Sequence, residues 1–560
     1  MIVEVLGEVF MPQFMAKIMS TAVVDNVATG EVGKVIMFAA FMILMALIMM
    51  AGGIGGAYFG AKASVNFGSD LRLDIYKKIQ KFSFANIDKF NTGSLITRLT
   101  NDVTQLQNFV NMLLRMFLRS PGMLIGALIM AIRMKPSLAV VLSVTIPLML
   151  FFMILIIRTA FPRFGIMQKK IDALNATVQE NLTNVRVVKS FVREEFEEDE
   201  FEDANRNLKN AGLSAINIMI FMHPVTMLFM NLTTLAVIWL GGKMVMVGNM
   251  AVPDLAAFIT YITQILMSLT MFTMMFMSSS RALASSKRII EVLDEKIDLN
   301  DDNAQRKDLT VTKGEIEFRN VSFRYYKDSE EKVLDSINLK IPASSTVGII
   351  GSTGCGKTTL VSLIPRLYDA DEGEVLVDGV NVKDYSLENL REGVGMVLQK
   401  NVLFSGSIGD NLRWGSENAT QEEIIAAAES SQAHGFVSAM KDGYETELEQ
   451  GGVNVSGGQK QRLCIARALL KKPKILILDD STSAVDTATE AKIRETFRTG
   501  LASSTKIIIA QRIGSVKDAD MIIVINDGRI TGVGTHSELL ESNTEYQEIY
   551  YSQTDGKEDK

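Results

Sequence analysis

Cysteine, histidine and clustered basic charge are scarce in this sequence. Its 560 residues include two cysteines and three histidines, and the formal net charge is −7. Cys355 and Cys464 are too few and too far apart for a disulfide framework or a cysteine-rich zinc site, and a reducing cytosolic compartment suits both. Binding to nucleic acid requires a clustered basic face, so we expect no nucleic acid partner.

The N-terminal segment does not resemble a cleavable signal peptide. The first ten residues, MIVEVLGEVF, are apolar, but they contain Glu4 and Glu8. They have neither a basic n-region nor a small-residue cleavage site. We therefore expect the N-terminal segment to remain part of the folded protein.

Apolar residues are abundant and unevenly distributed. The chain is 48% hydrophobic with 32 methionines, yet its charged fraction of 22% is ordinary. Five nearly uncharged runs reach the roughly 20 residues that a helix needs to cross a bilayer. They are residues 35–61, 112–132, 138–157, 216–240 and 255–280. A weaker run at 1–24, interrupted by Glu4, Glu8 and Lys17, predicts an atypical or truncated first span, for six in all.

The connections between these runs alternate between short and long. Residues 62–111 and 158–215 form long polar loops that carry lysines and arginines near the spans, which predicts that both are cytoplasmic. A polar linker follows the last span, and Val/Ile-rich strands then alternate with helical patterns, as in an α/β domain with a largely parallel sheet. We predict a transmembrane domain at 1–285, a linker at 286–314 and a cytoplasmic nucleotide-binding domain at 315–560.

One glycine-rich motif indicates phosphate binding. The segment GIIGSTGCGKTT, residues 348–359, follows an apolar strand and precedes a helical run, which is the context that a P-loop requires. Backbone N–H groups of such a loop cradle phosphate, Lys357 can reach the β and γ phosphates, and the Thr358 hydroxyl can bind Mg²⁺. The alternative is a purely structural turn. The predicted ATP-binding residues of this loop are Gly351, Ser352, Thr353, Gly354, Cys355, Gly356, Lys357, Thr358 and Thr359.

Two further motifs make the prediction specific. The apolar strand KILILDD ends in Asp479, where a carboxylate can hold Mg²⁺ as in other P-loop ATPases. Between the two lies VSGGQKQR, residues 455–462. With this motif the chain resembles the ABC transporter family, and more closely the half-transporters of ABC exporters with the type IV fold, of the bacterial multidrug-resistance type. The resemblance covers essentially the whole chain, because the span pattern with two long inner loops also resembles the exporter membrane domain.

The resemblance implies roles for individual residues. Tyr325 in VSFRYY resembles the aromatic residue that stacks on adenine, and Gln399 in MVLQ resembles the residue that links Mg²⁺ to the membrane domain. Thr358, Gln399 and Asp479 are thus the implied metal residues. Residues Ser456, Gly457, Gly458 and Gln459 resemble the signature that caps ATP held by another subunit, and STSAVD, ending in Asp486, resembles the D-loop. The segments 82–103 and 180–191 resemble the parts of the inner loops that carry coupling helices, although ordinary cytoplasmic helices would have similar sequences.

Two positions depart from the family pattern. The family's catalytic base is a Glu directly after the magnesium Asp, but this chain has Asp480; the family's switch histidine is replaced by Gln511 in IIIAQR. The shorter carboxylate should activate water poorly, and Gln cannot carry a proton. We therefore expect the degenerate-site subunit of a heterodimer, whose own ATP site hydrolyses weakly and whose signature completes a partner's active site. A slow homodimeric flippase and a regulatory or ATP-gated subunit remain alternatives.

The membrane half suggests the class of cargo. Methionines and phenylalanines make adaptable apolar surfaces, although lipid-facing or packed helices also contain them. They crowd the last two spans at Met219, Met222, Met227, Met230, Met267, Met271, Phe272, Met274, Met275, Phe276 and Met277. With the fused order of membrane and ATPase domains, these residues favour export of amphipathic drugs or lipids from the cell membrane.

Overall fold

A computed structural model describes residues 1–23, 32–117, 119–302, 304–327, 329–481 and 485–554. The chain forms two compact units. The membrane unit contains residues 1–78 and 93–294, and the ATPase unit contains residues 79–92 and 295–560. A short segment of the first long loop therefore belongs to the ATPase unit, and the helix that contains the last predicted span continues to Asp294.

Long helices build the membrane unit. The helices of the N-terminal half are α1 (Ile2–Val23), α2 (Val32–Gln80), α3 (Phe84–Lys89), α4 (Thr92–Thr97), α5 (Val103–Met116), α6 (Arg119–Met134), α7 (Pro136–Thr183), α8 (Val185–Ser190), α9 (Glu194–Met219), α10 (Met222–Met246) and α11 (Val252–Asp294). A π-helical turn, Arg98–Asp102, joins α4 to α5. Of these helices, α3 lies in the ATPase unit.

Five helical stretches in the described ranges are long and apolar enough to cross a membrane. They are Val32–Gln80, Thr92–Met134, Pro136–Thr183, Glu194–Met246 and Val252–Phe272. They contain four of the five strong spans predicted from the sequence, and the fifth predicted span, 255–280, begins in the last stretch and runs past Phe272 within α11. The weaker sixth span is the 22-residue helix α1, which does not reach the same apolarity because Glu4, Glu8 and Lys17 interrupt it.

The core of the membrane unit joins α1 to α6, α7, α10 and α11. Val9 of α1 is buried with Ala127 of α6, and Met149 of α7 with Phe258 and Leu266 of α11. Pro12 lies inside α1, and proline lacks the N–H that would bond the carbonyl four residues earlier. Helix α11 supplies that bond, because the Gln264 side-chain amide donates to the Glu8 carbonyl at 3.0 Å.

The ATPase unit is an α/β fold with two main sheets. Its strands are β1 (Ile316–Phe323), β2 (Leu334–Ile341), β3 (Thr346–Ile350), β4 (Glu372–Val377), β5 (Val380–Asn381), β6 (Val394–Val397), β7 (Gly406–Ser407), β8 (Glu447–Leu448), β9 (Ile475–Asp479), β10 (Thr505–Ile509), β11 (Met521–Asn526) and β12 (Arg529–Gly534). A six-stranded sheet has the order β12-β11-β3-β10-β9-β6, parallel except for β12. An antiparallel sheet has the order β2-β1-β4-β5.

Helices alternate with these strands along the chain. They are α12 (Lys357–Ser362), α13 (Leu387–Glu392), α14 (Ile408–Arg413), α15 (Gln421–Ser430), α16 (His434–Ser438), α17 (Gly457–Leu470), α18 (Thr487–Gly500), α19 (His536–Ser542) and α20 (Thr544–Thr554). The central strands β9 and β10 are buried along their whole length, which explains their continuous apolar sequence. The predicted fold class, a helical membrane domain fused to an α/β P-loop domain, is confirmed.

Candidate nucleotide-binding site

The P-loop lies between β3 and α12. Its glycines hold backbone conformations that other residues rarely adopt, with φ of +87° at Gly354 and +100° at Gly356. A Cβ at Gly351 would lie 2.1 Å from the Ile525 carbonyl oxygen of β11, so this position has no room for a side chain. The loop therefore exposes main-chain N–H groups at the start of a helix, which is an arrangement that binds phosphate.

Two side chains of the loop lie in different surroundings. The Lys357 ammonium lies within the loop and donates to the carbonyl oxygens of Gly351 at 2.9 Å and Ser352 at 2.6 Å. The Cys355 side chain is 4% exposed and belongs to the apolar core beneath the loop. Cys355 can therefore contribute only its backbone to phosphate binding, a distinction that the sequence motif does not make.

The predicted metal residues meet at the end of β9. The Thr358 hydroxyl donates to Asp479 Oδ1 at 3.1 Å, and Asp479 is 2% exposed. Its second oxygen, Oδ2, is buried and has no hydrogen-bond partner among the described residues. Burial raises the pKa of Asp479 above its usual value. A buried carboxylate with an unsatisfied oxygen beside a hydroxyl fits Mg²⁺, which would neutralise charge on the β and γ phosphates of ATP.

The two residues that depart from the family pattern contact each other. The Gln511 amide donates to Asp480 Oδ2 at 3.0 Å, and the Gln399 side chain also hydrogen-bonds Asp480. Asp480 has φ of +47°, so its side chain leaves the strand end from a left-handed backbone conformation. Burial raises the pKa of Asp480, opposed by Lys357 and the hydrogen bond from Gln511. Gln399 thus lies at the same strand end as Asp479.

An aromatic cluster borders α12. The Tyr325 hydroxyl lies 2.9 Å from Thr359 Oγ1, and its ring is 41% exposed beside the loop. This placement is compatible with the predicted stacking on adenine. The Tyr368 ring packs edge-on against Tyr325, with a distance of 5.2 Å between ring centroids.

Tyr368 also contacts α3, which sequence reasoning assigned to the first coupling segment. Its hydroxyl donates to Asp88 Oδ2 at 3.0 Å, and its ring centroid lies 6.0 Å from that of Phe84. Helix α3 is further held by the Asn86 side chain, which donates to the Lys296 carbonyl at 3.0 Å. Tyr368 stands in no recognised motif, so only the packing reveals it.

The signature segment begins α17. Ser456 caps this helix, and its side chain and that of Gln459 form reciprocal bonds with each other's backbone N–H. The same helix reaches the nucleotide site through Gln461, whose side-chain amide donates to the Asp480 carbonyl at 3.2 Å. Within the D-loop segment, Asp486 caps α18, whereas residues 482–484 lie outside the described residues. Gly457 and Gly458 form the first turn of α17.

The methionine-rich surface predicted in the spans is partly described. Met267 and Met271 of α11 are exposed in the single chain, as are Phe272 and, in α10, Met227. The side chains of Met274, Phe276 and Met277 lie outside the described residues. Met222 and Met230 pack partly buried against the membrane core.

Comparisons with known proteins agree with this architecture. The ABC transporter transmembrane region matches residues 1–269, and the ABC transporter family matches residues 334–483. The uncharacterized ABC transporter ATP-binding protein YfiB of Bacillus subtilis (strain 168) is 39% identical over 556 residues, which cover 99% of this chain and 95% of that protein. A fatty acid ABC transporter ATP-binding/permease protein of Mycobacterium bovis is 34% identical over 484 residues, covering 86% and 75% respectively.

A solved structure extends the similarity to the whole fold. A bacterial Atm1-family ABC exporter with ATP bound superposes with a TM-score of 0.82 at 26% identity, covering 99% of this chain and 97% of that one. The chain therefore belongs to the ABC transporter family, as an exporter half-transporter that spans the membrane several times and couples ATP hydrolysis to transport.

Proposed function

We propose that this chain is the weakly hydrolysing half of a heterodimeric exporter of amphipathic small molecules. Its own ATP site is degenerate, and its signature completes the active site of a second half-transporter. The observation that carries this proposal is the hydrogen bond between Asp480 and Gln511, the two residues that replace the family's base and switch histidine.

The chemistry of this pair favours ATP binding over hydrolysis. A general base must lie within about 2.6–3.2 Å of the proton it removes, and an ångström of misplacement can cost about 100-fold in rate. Asp480 is about one methylene shorter than Glu, and the Gln511 amide engages one of its carboxylate oxygens. Because Gln511 cannot accept and release a proton as histidine does, nothing at that position replaces the lost function.

The phosphate-binding side of the site, in contrast, is retained. Lys357, Thr358 and Asp479 keep the residue types and proximity that MgATP binding needs. The signature Ser456 is likewise held in a capped helix. These features support a chain that binds ATP at its own site and contributes its signature to ATP hydrolysis at the partner's site. The same proposal includes three further roles. Tyr325 stacks on adenine, Gln399 links Mg²⁺ to the membrane domain, and the signature caps ATP held by the partner.

The decisive test is to restore the family's residues. The purified chain should show low ATPase activity, and the double variant Asp480→Glu with Gln511→His should raise it at least about 10-fold if base geometry limits turnover. Asp308→Glu, which alters an exposed carboxylate outside the ATP-binding motifs, is the matched control. High activity of the unmodified chain in a pure homodimer would contradict the heterodimer proposal.

The partner can be identified directly. Co-purification from native membranes, followed by sequencing of the accompanying chain, should recover a half-transporter with Glu and His at the two altered positions. Recovery of this chain alone, with turnover, would favour a slow homodimeric flippase. A partner complex that conducts ions passively would favour the ATP-gated subunit.

The cargo class rests on the membrane unit and on one relative. Exposed Met267, Met271 and Phe272 present adaptable apolar surface, and the relative from Mycobacterium bovis is named as a fatty acid transporter. We propose export of drugs or lipids. Sealed inside-out vesicles containing the complex should accumulate a fluorescent amphiphile only with ATP and Mg²⁺.

We also propose the domain limits 1–285, 286–314 and 315–560. Limited proteolysis of the full chain tests them, because cleavage should be fastest between the two larger segments.

A further inference from the structure

We propose that Glu4, Glu8, Arg119 and Gln264 form a site in the membrane unit that binds the cationic headgroup of an amphiphile bearing N–H donors. This inference rests on the proposed export of amphipathic molecules and adds the charge of the headgroup. We call these four residues the acidic membrane cluster.

Ion pairs between two helices build the cluster. Glu4 and Glu8 are four residues apart on α1 and therefore share one face of the helix. Arg119 of α6 bonds both, with Nη1 2.9 Å from Glu4 Oε1 and Nη2 2.7 Å from Glu8 Oε1. The side chains of Glu4 and Glu8 are only 12% and 24% exposed, and that of Arg119 is 38% exposed.

The charges of the cluster do not cancel. Two carboxylates face one guanidinium, so a formal charge of −1 remains. Glu4 Oε2 is buried without a hydrogen-bond partner among the described residues, and so is Gln264 Oε1. Both atoms are acceptors. An ammonium or amidinium group supplies the missing positive charge and N–H donors, whereas an anionic headgroup would add repulsion and no donors.

Two neighbouring helices pack against the cluster. Pro12 leaves the Glu8 carbonyl without its helical donor, and the Gln264 amide fills that role, which holds α11 against α1 at Glu8. On α2, the Glu4 carboxylate faces Gly53, where a Cβ would lie 3.7 Å from the carboxylate oxygen Oε1. Gly53 therefore places no side chain against the carboxylate from α2.

A purely structural clamp explains less of this geometry. One carboxylate and one guanidinium suffice to join two helices, and each further charge within a span is energetically costly. Ionisable groups in spans are associated with substrate and ion pathways. The second carboxylate and the two unsatisfied acceptors are the features that a bound cation would use.

Direct binding tests the proposal. The full chain in nanodiscs is titrated with radiolabelled dodecylammonium, uncharged dodecanol and dodecyl sulfate, all with the same tail. We expect the ammonium to bind most tightly and the sulfate most weakly. Glu4→Gln should weaken ammonium binding by about 10-fold or more while dodecanol binding changes by less than about twofold. Glu4→Asp, which keeps the charge, should retain most of the preference.

Lys17→Gln is the matched control, because it changes one charge on an exposed side chain of the same helix. It should leave ammonium binding within about twofold of wild type. Equal loss of ammonium and dodecanol binding in Glu4→Gln would show a structural role and overturn the proposal, as would tighter binding of the sulfate. Because these titrations contain no nucleotide and no partner, their result is independent of the ATPase assay that tests the heterodimer.

Discussion

At the scale of single residues, the Asp378 carboxylate fixes the segment that leads into β1 of the ATPase unit. Asp378 follows β4 and accepts four main-chain N–H groups, from Thr312 at 2.7 Å, Lys313 at 2.9 Å, Gly314 at 2.8 Å and Glu315 at 3.0 Å. One side chain thereby fixes residues 312–315, the segment that leads into β1. Burial raises its pKa, but the N–H groups outweigh burial and the net pKa lies below the usual 3.8.

Asp378→Ala should destabilise the ATPase unit by about 2–3 kcal/mol, because it leaves several donors without an acceptor. The melting temperature of the full chain measures this loss, and Asp308→Ala, at an exposed carboxylate, is the control. A depressed pKa in the fold means that the contribution is complete above pH 3.8 and declines as pH falls through the folded pKa. The difference in melting temperature between Asp378→Ala and wild type should therefore shrink below the folded pKa of Asp378. A difference that stays the same there would contradict this account.

Asp479 presents the opposite case, a carboxylate whose pKa burial raises. Its ionised form is unfavourable until a cation binds. Asp479→Asn should therefore raise the melting temperature without nucleotide and abolish the additional stabilisation by MgATP. Thermal unfolding with and without MgATP measures both effects. A variant that MgATP stabilises as strongly as wild type would show that Asp479 does not hold the metal.

At the scale of elements, packing joins α3 to the nucleotide site through Tyr368. The hydroxyl bonds Asp88 and the ring contacts Tyr325, so one side chain contacts both a helix of the predicted coupling segment and the tyrosine predicted to stack on adenine. Burial and the Asp88 carboxylate raise the pKa of Tyr368, which keeps the phenol protonated as a donor.

Tyr368→Phe removes only this hydroxyl and should weaken the attachment of α3 by about 1 kcal/mol. Amide exchange of residues 84–89 should accelerate about fivefold as a result. Tyr326→Phe, at a side chain that is 76% exposed, is the matched control. Equal exchange in the two variants would mean that the Asp88 bond does not hold the segment.

At the scale of the whole molecule, the proposed asymmetry of the two ATP sites sets the transport cycle. ATP that stays at the degenerate site should keep a heterodimer partly closed between turnovers, because a ligand shifts a conformational equilibrium through its differential affinity for the two states.

Spin labels on the two ATPase domains of the complex should approach each other with ATP and Mg²⁺, while labels near Arg133 and Gly248, at the predicted outer ends, should separate. Pulsed distance measurements record both changes. Closure at the ATPase domains combined with inward transport in oriented vesicles would overturn the export direction and leave the ATPase function intact.

The sequence alone determined the elements whose signals are local. Runs of apolar residues predicted the five strong spans because a bilayer imposes length and apolarity on any helix that crosses it. The P-loop, Asp479 and the signature were recognisable because their chemistry depends on residue type at fixed spacing. The substitutions Asp480 and Gln511 were visible for the same reason.

The tertiary structure alone decided which distant residues meet. The hydrogen bond between Asp480 and Gln511 joins residues that follow two neighbouring strands, and the Cys355 thiol lies in a core that the motif does not specify. In the sequence, Glu4 and Glu8 only interrupt a weak predicted span. In the structure, Arg119 of α6 forms ion pairs with both. Spacing along the chain encodes helices and loops, whereas the partner of a buried charge depends on how those helices pack.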